Sequence, residues 1–159
     1  MAELKYLEGD ATYPVGDGLK VIPHVCNNID KWGAGFVLAL NKRWTEPEFK
    51  YHQRNYQNLG DIEIVPVEND IVVINMIGQH GVITDNPLVP PIRYSAIITA
   101  LEKVQKYCQM KKDMGVEVSV HMPKIGSDRA GGDWELIEHI IINTLVAEGT
   151  DVYVYVYTG

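Results

Sequence analysis

A three-layer α/β/α domain built on a mixed, about six-stranded sheet is the fold class this sequence predicts. Three observations carry that expectation. Six short runs are rich in β-branched or aromatic residues, helical patterns lie between them, and two of the runs follow one another too closely for a crossover helix.

In chain order, Leu4 to Leu7 is the first strand and Gly9-Asp10 closes it; Leu19 to Cys26 is the second, and two short helices follow Gly35 and Glu46. Ile62 to Val67 and Ile71 to Ile77 are expected to pair as an antiparallel hairpin, which is what makes the sheet mixed. Arg93 to Met110 reads as a helix because Tyr94, Ile97, Ile98, Leu101, Val104 and Cys108 recur at i, i+3, i+4 spacing. Thr84 to Pro91 is a stiff, proline-rich loop before it. Val116 to His121 is the fifth strand. Asp133 is the expected N-cap of the last helix, with Glu135 in its first turn and Leu136, Ile137, Ile140, Ile141 and Leu145 buried. Val152 to Tyr157 is the sixth strand, alternating valine and tyrosine.

Length and composition bound the rest. The 159 residues suit one domain over 1–159, and 46% hydrophobic with 22% charged residues is a globular balance. A formal net charge of -7 argues against non-specific nucleic-acid binding, which depends on Lys and Arg neutralising phosphates. Cys26 and Cys108 are the two cysteines, without a CxxC, so neither a disulfide framework nor a zinc site is expected. The opening Met1-Ala2-Glu3-Leu4-Lys5 has no signal-peptide pattern, and no apolar run approaches the ~20 residues that span a bilayer. A cytoplasmic protein without a membrane partner is the expectation, its oligomeric state open.

The most informative segment is Met122 to Trp134, a glycine-rich loop between a strand and a helix. Backbone N–H groups freed by glycine and backed by a helix dipole can hold phosphate without lysine. An ordinary strand-to-helix turn is the alternative that this loop alone leaves open. Gly126 to Gly131 has P-loop spacing, but Gly132-Asp133 stands where Lys-Ser or Lys-Thr is needed, so NTP hydrolysis of that type is not expected. Asn27 and Asn28 end a strand and offer donors and acceptors suited to ribose hydroxyls, or else simply form a turn. Asp10 could read an exocyclic amine or shape a turn. Cys26 reads as a small core residue, and His24 as a core histidine whose nearness to the loop keeps acid–base chemistry open. Gln79 and His80 are lining candidates, and Tyr157 is the strand-end aromatic that could stack on a base. Trp44, His52 and Arg54 read as structural or surface residues. In such folds ligands gather at the carboxyl ends of strands, so these loops describe one crevice.

In this combination the chain resembles the macro domain, an ADP-ribose-binding module. The resemblance covers nearly all of it and keeps the order Gly9-Asp10-Ala11-Thr12, His24 to Gly35, Asn75-Met76-Ile77-Gly78-Gln79, Pro91-Ile92-Arg93-Tyr94, and Pro123 to Trp134. It is nearest to the branch with the yeast ADP-ribose-1''-phosphate phosphatase and the terminal ADP-ribose protein glycohydrolase. The resemblance implies a mixed six-stranded sheet between helices, with Asp10 at adenine, Asn27 at the distal ribose, and Ala11 and Asn28 among the ligand-binding residues. Gly33, Ala34 and Gly35 would wrap that ribose and the pyrophosphate. Gly126, Ser127, Arg129, Ala130 and Gly131 would cradle the pyrophosphate, with Gln79 lining the site and Tyr157 packing on adenine. His24 takes the place of a histidine implicated in the phosphatase. The glycohydrolase's lysine and aspartate fall near Gln79 and at Ala130, and many relatives have a glycine and an aliphatic residue where this chain has Asp128 and Arg129.

The implied activity is hydrolysis of an ADP-ribose derivative at the distal ribose, either the 1''-phosphate or an ester-linked ADP-ribosyl group, with His24 and Asp128 as catalytic candidates. The alternative is a non-catalytic reader of ADP-ribose. The expected partner is ADP-ribose or an ADP-ribosylated substrate, and no metal or redox cofactor is required.

Overall fold

A computed structural model describes residues 1–53, 57–82, 90–127 and 130–157. Arg54, most of the Thr84 to Pro91 loop, Asp128 and Arg129 lie outside them. The elements are β1 Leu4–Glu8, β2 Leu19–Asn27, α1 Phe36–Arg43, α2 Glu46–His52, β3 Ile62–Glu68 and β4 Ile71–Gln79. They continue with α3 Tyr94–Asp113, β5 Val118–Met122, α4 Trp134–Ile141, a π-helical turn Ile142–Val146, and β6 Asp151–Val156.

Six strands form one sheet in the order β1-β6-β5-β2-β4-β3. Every neighbouring pair is parallel except β3 with β4, the expected antiparallel hairpin. Helices cover both faces. Because side chains alternate along a strand, Val72, Ile74 and Met76 of β4 pack with Val21 against Ile97, Leu101 and Val104 of α3 and Ile137 and Ile141 of α4. The opposite set, Ile71, Val73 and Ile77, joins Ile22 and Cys26 under Leu40 and Trp44 at α1 and Tyr51 of α2.

Three details differ from the sequence expectation. Strand β5 begins at Val118, not Val116, because Gly115 at φ 85° ends α3 and the Val116 N–H is used on the Lys111 carbonyl. Leu136 is 41% exposed while Ile137, Ile140, Ile141 and Leu145 are buried, so the predicted stripe holds except at its first residue. Ile98 is likewise 39% exposed on α3. Asp133 does cap α4, its carboxylate accepting from the Glu135 N–H at 3.0 Å. Among the described residues no helix is long and apolar enough to cross a membrane.

Candidate ligand-binding site

The parallel strands end on the same edge. From β2 the chain crosses toward β4 on one side of the sheet, and from β5 it crosses toward β6 on the other. Loops that diverge from adjacent parallel strands leave a crevice between them. A cavity of about 650 Å³ lies there, within the range of small-molecule sites.

Ten of the residues singled out in the sequence line it: Asp10, Ala11, His24, Ala34, Gly35, Gln79, Gly126, Ser127, Ala130 and Tyr157. Asn27, Asn28, Gly33 and Gly131 are outside the lining. Asp128 and Arg129 fall outside the described residues.

The β1 loop is shaped by Asp10, whose Oδ1 accepts from both the N–H and the hydroxyl of Thr12 at 2.8 Å. Asp10 thus shapes the turn, one of its two sequence readings, and it also lines the cavity. Arg43 fastens the loop from the end of α1. Its guanidinium donates to the Thr12 carbonyl, sits 4.2 Å over the Tyr13 ring and pairs with Glu68 at 3.0 Å. A second fastening comes from the Val15 N–H, which donates to the Tyr155 hydroxyl at 3.0 Å.

In the β2 loop, Asn27 is turned inward. Its Oδ1 accepts from the N–H groups of Ile29 (3.0 Å) and Lys31 (3.1 Å), and its amide donates to the Lys31 carbonyl at 2.7 Å. The buried Tyr51 hydroxyl lies 2.7 Å from the Asn27 carbonyl and 2.8 Å from its Oδ1. Burial, followed by nearby Cys26 and Asp30, pushes that hydroxyl's pKa up, so it stays a donor. Asn28 ties the loop to the end of β4, accepting from the Gly81 N–H at 2.9 Å and lying 3.0 Å from His80 Nδ1. These two amides build the loop, while the wall itself is Ala34, Gly35 and the start of α1.

Gly35 has φ 78° and ψ -143°, a conformation reserved for glycine, and supplies no side-chain cap to α1. Opposite it, the β5 loop closes on itself through the Gly132 N–H on the Gly126 carbonyl at 2.8 Å. A side chain at Gly126 (φ 70°) would stand 2.8 Å from Ile92 Cδ1 and 3.1 Å from Ile137 Cδ1, so this glycine is required by the core beneath the loop. The Ser127 hydroxyl is spent on the Lys124 carbonyl at 2.8 Å.

His24 borders the cavity yet is only 2% exposed. Its Nε2 lies 2.6 Å from Asn75 Oδ1. The Asn75 amide nitrogen donates to the Pro47 carbonyl (3.0 Å) and to Glu63 (3.1 Å), so its oxygen must be the atom that accepts from His24. The proton is thus on Nε2, and Nδ1 keeps its lone pair. Burial lowers the His24 pKa to about 4, against a smaller opposing pull from Asn75, so the ring is neutral at pH 7. Trp32 meets it edge-on at 5.4 Å.

Sequence reasoning missed one wall. Phe36, Ala39 and Lys42 of α1 line the cavity, as does Lys124 of the β5 loop. The i, i+3, i+6 spacing of the α1 residues, with small Ala39 in the middle, was the available signal. Among the described residues no group of three or more His, Cys, Asp or Glu side chains is placed to hold a metal.

These features define an α/β domain whose site is assembled from the ends of five strands. No protein-family model matches the chain. A Bacteroides thetaiotaomicron protein of unknown function is similar at 46% identity and TM-score 0.90, with 99% of each chain covered. A macrodomain protein from Streptomyces coelicolor is 41% identical at TM-score 0.81, over 98% of this chain and 100% of that one. On that likeness the chain belongs to the macrodomain family. The Thermosipho africanus DarTG structure, in complex with ADP-ribose, shares the fold at TM-score 0.71 and 12% identity, over 99% of this chain and 42% of that one. Among curated proteins, mouse chromodomain-helicase-DNA-binding protein 1-like is 28% identical over 167 residues, 97% of this chain. The chain spans 18% of that relative's length.

Proposed function

We propose that the strand-end cavity binds ADP-ribose and that the protein hydrolyses an ADP-ribose derivative at the distal ribose, the 1''-phosphate or an ester-linked ADP-ribosyl group. The observation that carries the binding half is the wall made by Gly35 and α1. A helix start without a side-chain cap leaves its first N–H groups seeking an acceptor, and here Phe36 and Val37 stand in the cavity lining facing the glycine loop of β5. Such a pair of walls suits a diphosphate. The carboxylate of Asp10 and the 74% exposed ring of Tyr157 supply an acceptor and a stacking face for adenine.

For the hydrolytic half, the chemistry needs a base to take a proton from water and donors to receive the charge that develops on oxygen. His24 has a lone pair on Nδ1, 3.9 Å from the Cys26 sulfur, and Asp128 is the second candidate base. Backbone N–H groups of the two loops would receive the charge. Neither step calls for a metal.

One observation favours a second reading, a reader that binds without turnover. A ring that is 2% exposed with a pKa near 4 is a weak base at neutral pH. Calorimetry with ADP-ribose tests the binding half, and absence of heat sinks both readings. A panel of ADP-ribose-1''-phosphate and ester-linked ADP-ribosylated protein or nucleic acid then separates them. Turnover that is lost in His24→Ala or Asp128→Ala supports hydrolysis, while binding with no turnover in the wild type leaves the reader.

A further inference from the structure

His52, at the end of α2, has both ring nitrogens on carboxylates. Its Nδ1 lies 2.9 Å from Asp30 Oδ1 and its Nε2 lies 3.1 Å from Glu48 Oε2. An ionised carboxylate only accepts, and a neutral imidazole has a single N–H, so this arrangement is satisfied only when His52 is protonated on both nitrogens. Asp30 belongs to the β2 loop that supplies Ala34 and Gly35 to the cavity wall.

What His52 holds is a loop under tension. Asp30 sits at φ 63°, the one positive-φ residue other than glycine among those described. Gln57 grips the same residue, accepting from its N–H at 3.2 Å and donating to its carboxylate at 3.3 Å. The other end of the bridge reaches the loop as well: Glu48 Oε1 accepts from Asn41, whose own oxygen accepts from the Trp32 indole N–H at 3.2 Å. Trp32 in turn packs on His24 and Tyr51. The chain Trp32–Asn41–Glu48–His52–Asp30 therefore clasps the loop at two points, with His52 as its titratable link.

We propose that His52, as an imidazolium, is a positioning residue for this loop, and that the cavity consequently takes up ADP-ribose more weakly as His52 loses its proton. The proposal rests on the ADP-ribose reading of the cavity. Among the described residues the ionisable groups facing His52 are Asp30 from the loop, and Glu48 and the Tyr51 ring (5.3 Å) from its own helix. The hydrogen bond to Asp30 is the largest reason its pKa stands above the ordinary 6.5, with Glu48 assisting and partial burial opposing. A group raised in this way exerts its hold fully below 6.5 and loses it as pH climbs through the raised value. A wall that is competent in only a fraction of molecules weakens apparent affinity by that fraction.

The test has two arms, both on the whole chain. NMR titration of the His52 ring without ligand reads the clasp alone: a midpoint above 6.5 is expected, moving down in Asp30→Asn, with the Trp32 indole N–H shift following the same midpoint. Calorimetry with ADP-ribose at about pH 6 and about pH 9 reads the link, and affinity should fall about three- to fivefold, the scale an exposed charged contact can carry. His52→Gln should bind at the weaker level at both pH values. His139→Gln, which alters an exposed histidine of α4 away from the loop, should keep the wild-type difference. A His52 midpoint at or below 6.5 overturns the clasp. Equal wild-type affinities, or an undiminished difference in His52→Gln, overturn the link. Absence of ADP-ribose binding at both pH values sinks the ligand reading, and the NMR arm still decides the clasp.

Discussion

Asn75 accepts from His24 Nε2 at 2.6 Å, and this single contact determines which nitrogen of a cavity-bordering histidine carries the proton. Asn75 is itself wholly buried and held by Pro47 and Glu63, so it has no freedom to turn its amide over. Asn75→Asp should therefore do two things. A carboxylate beside the ring favours the imidazolium, so the His24 midpoint in an NMR titration should rise from about 4 toward neutral pH. It also withdraws the donor used on Pro47 and Glu63, which should lower stability by about 1–3 kcal/mol in urea unfolding. If hydrolysis depends on His24, the acid limb of its pH profile should shift with the same midpoint. A His24 midpoint that stays put would refute this account of the pair.

Asn27 and Tyr51 give a test of whether the first loop asparagine touches ligand or builds the loop. Four of its contacts are internal and the residue is outside the cavity lining. Tyr51→Phe removes only a hydroxyl buried behind the loop. It should cost about 1–2 kcal/mol in stability and still weaken ADP-ribose binding several-fold, because the loop loses a donor that shapes it. Unchanged affinity in Tyr51→Phe beside a large loss in Asn27→Ala would mean that Asn27 contacts the ligand directly.

Gly126 faces the core with its missing side chain. Gly126→Ala places a methyl group 2.8 Å from Ile92 Cδ1 in a backbone conformation that L-residues resist, and a loss of about 2–3 kcal/mol is expected by thermal or urea unfolding. Ile92→Val, which shortens that neighbour, should recover part of the loss in the double variant. Additivity of the two substitutions would show that the methyl group does not meet Ile92.

Much of this architecture was legible in the sequence, for identifiable reasons. Alternating β-branched runs specify strands, and the brief gap between Val67 and Ile71 leaves room only for a hairpin. Gly35 and Gly126 stood out because the backbone there needs positive φ. Other features depended on tertiary packing. Leu136 and Ile137 are adjacent apolar residues, and which of them is buried is decided by how α4 rolls against α3, not by the local pattern. An asparagine at a strand end can face a ligand or its own loop, and the inward contacts of Asn27 match the turn-forming one of its two sequence readings. Lys42 was passed over because a helical lysine is ordinarily a solvated one. His52 looked like a surface residue, and half-exposed it is; its partner Asp30 is distant in sequence, on another element.

Two buried histidines set the acid limit of the fold. Burial holds His24 at about 4, and burial with the nearby Lys20 charge holds His121 at about 4, against 6.5 in an unfolded chain. His121 is neutral within a closed network: its Nδ1 lies 2.8 Å from the Tyr155 hydroxyl, which accepts from the Val15 N–H, and its Nε2 lies 2.8 Å from the Ser119 hydroxyl. Between pH 6.5 and 4 the unfolded chain binds protons that the native rings refuse, so stability falls as pH drops through that window and levels below it. Above 6.5 neither ring contributes a slope. Taken across the whole window, each contribution is on the order of 3 kcal/mol. Urea midpoints measured at about pH 7 and about pH 4.5 should therefore drop steeply for the wild type. In His121→Gln the protein should be less stable at both values, since a buried network is broken, yet the difference between the two should shrink. Carboxylates titrate in this range too, but they are common to both proteins, so an equal difference in wild type and variant would show that His121 is not held neutral by its surroundings.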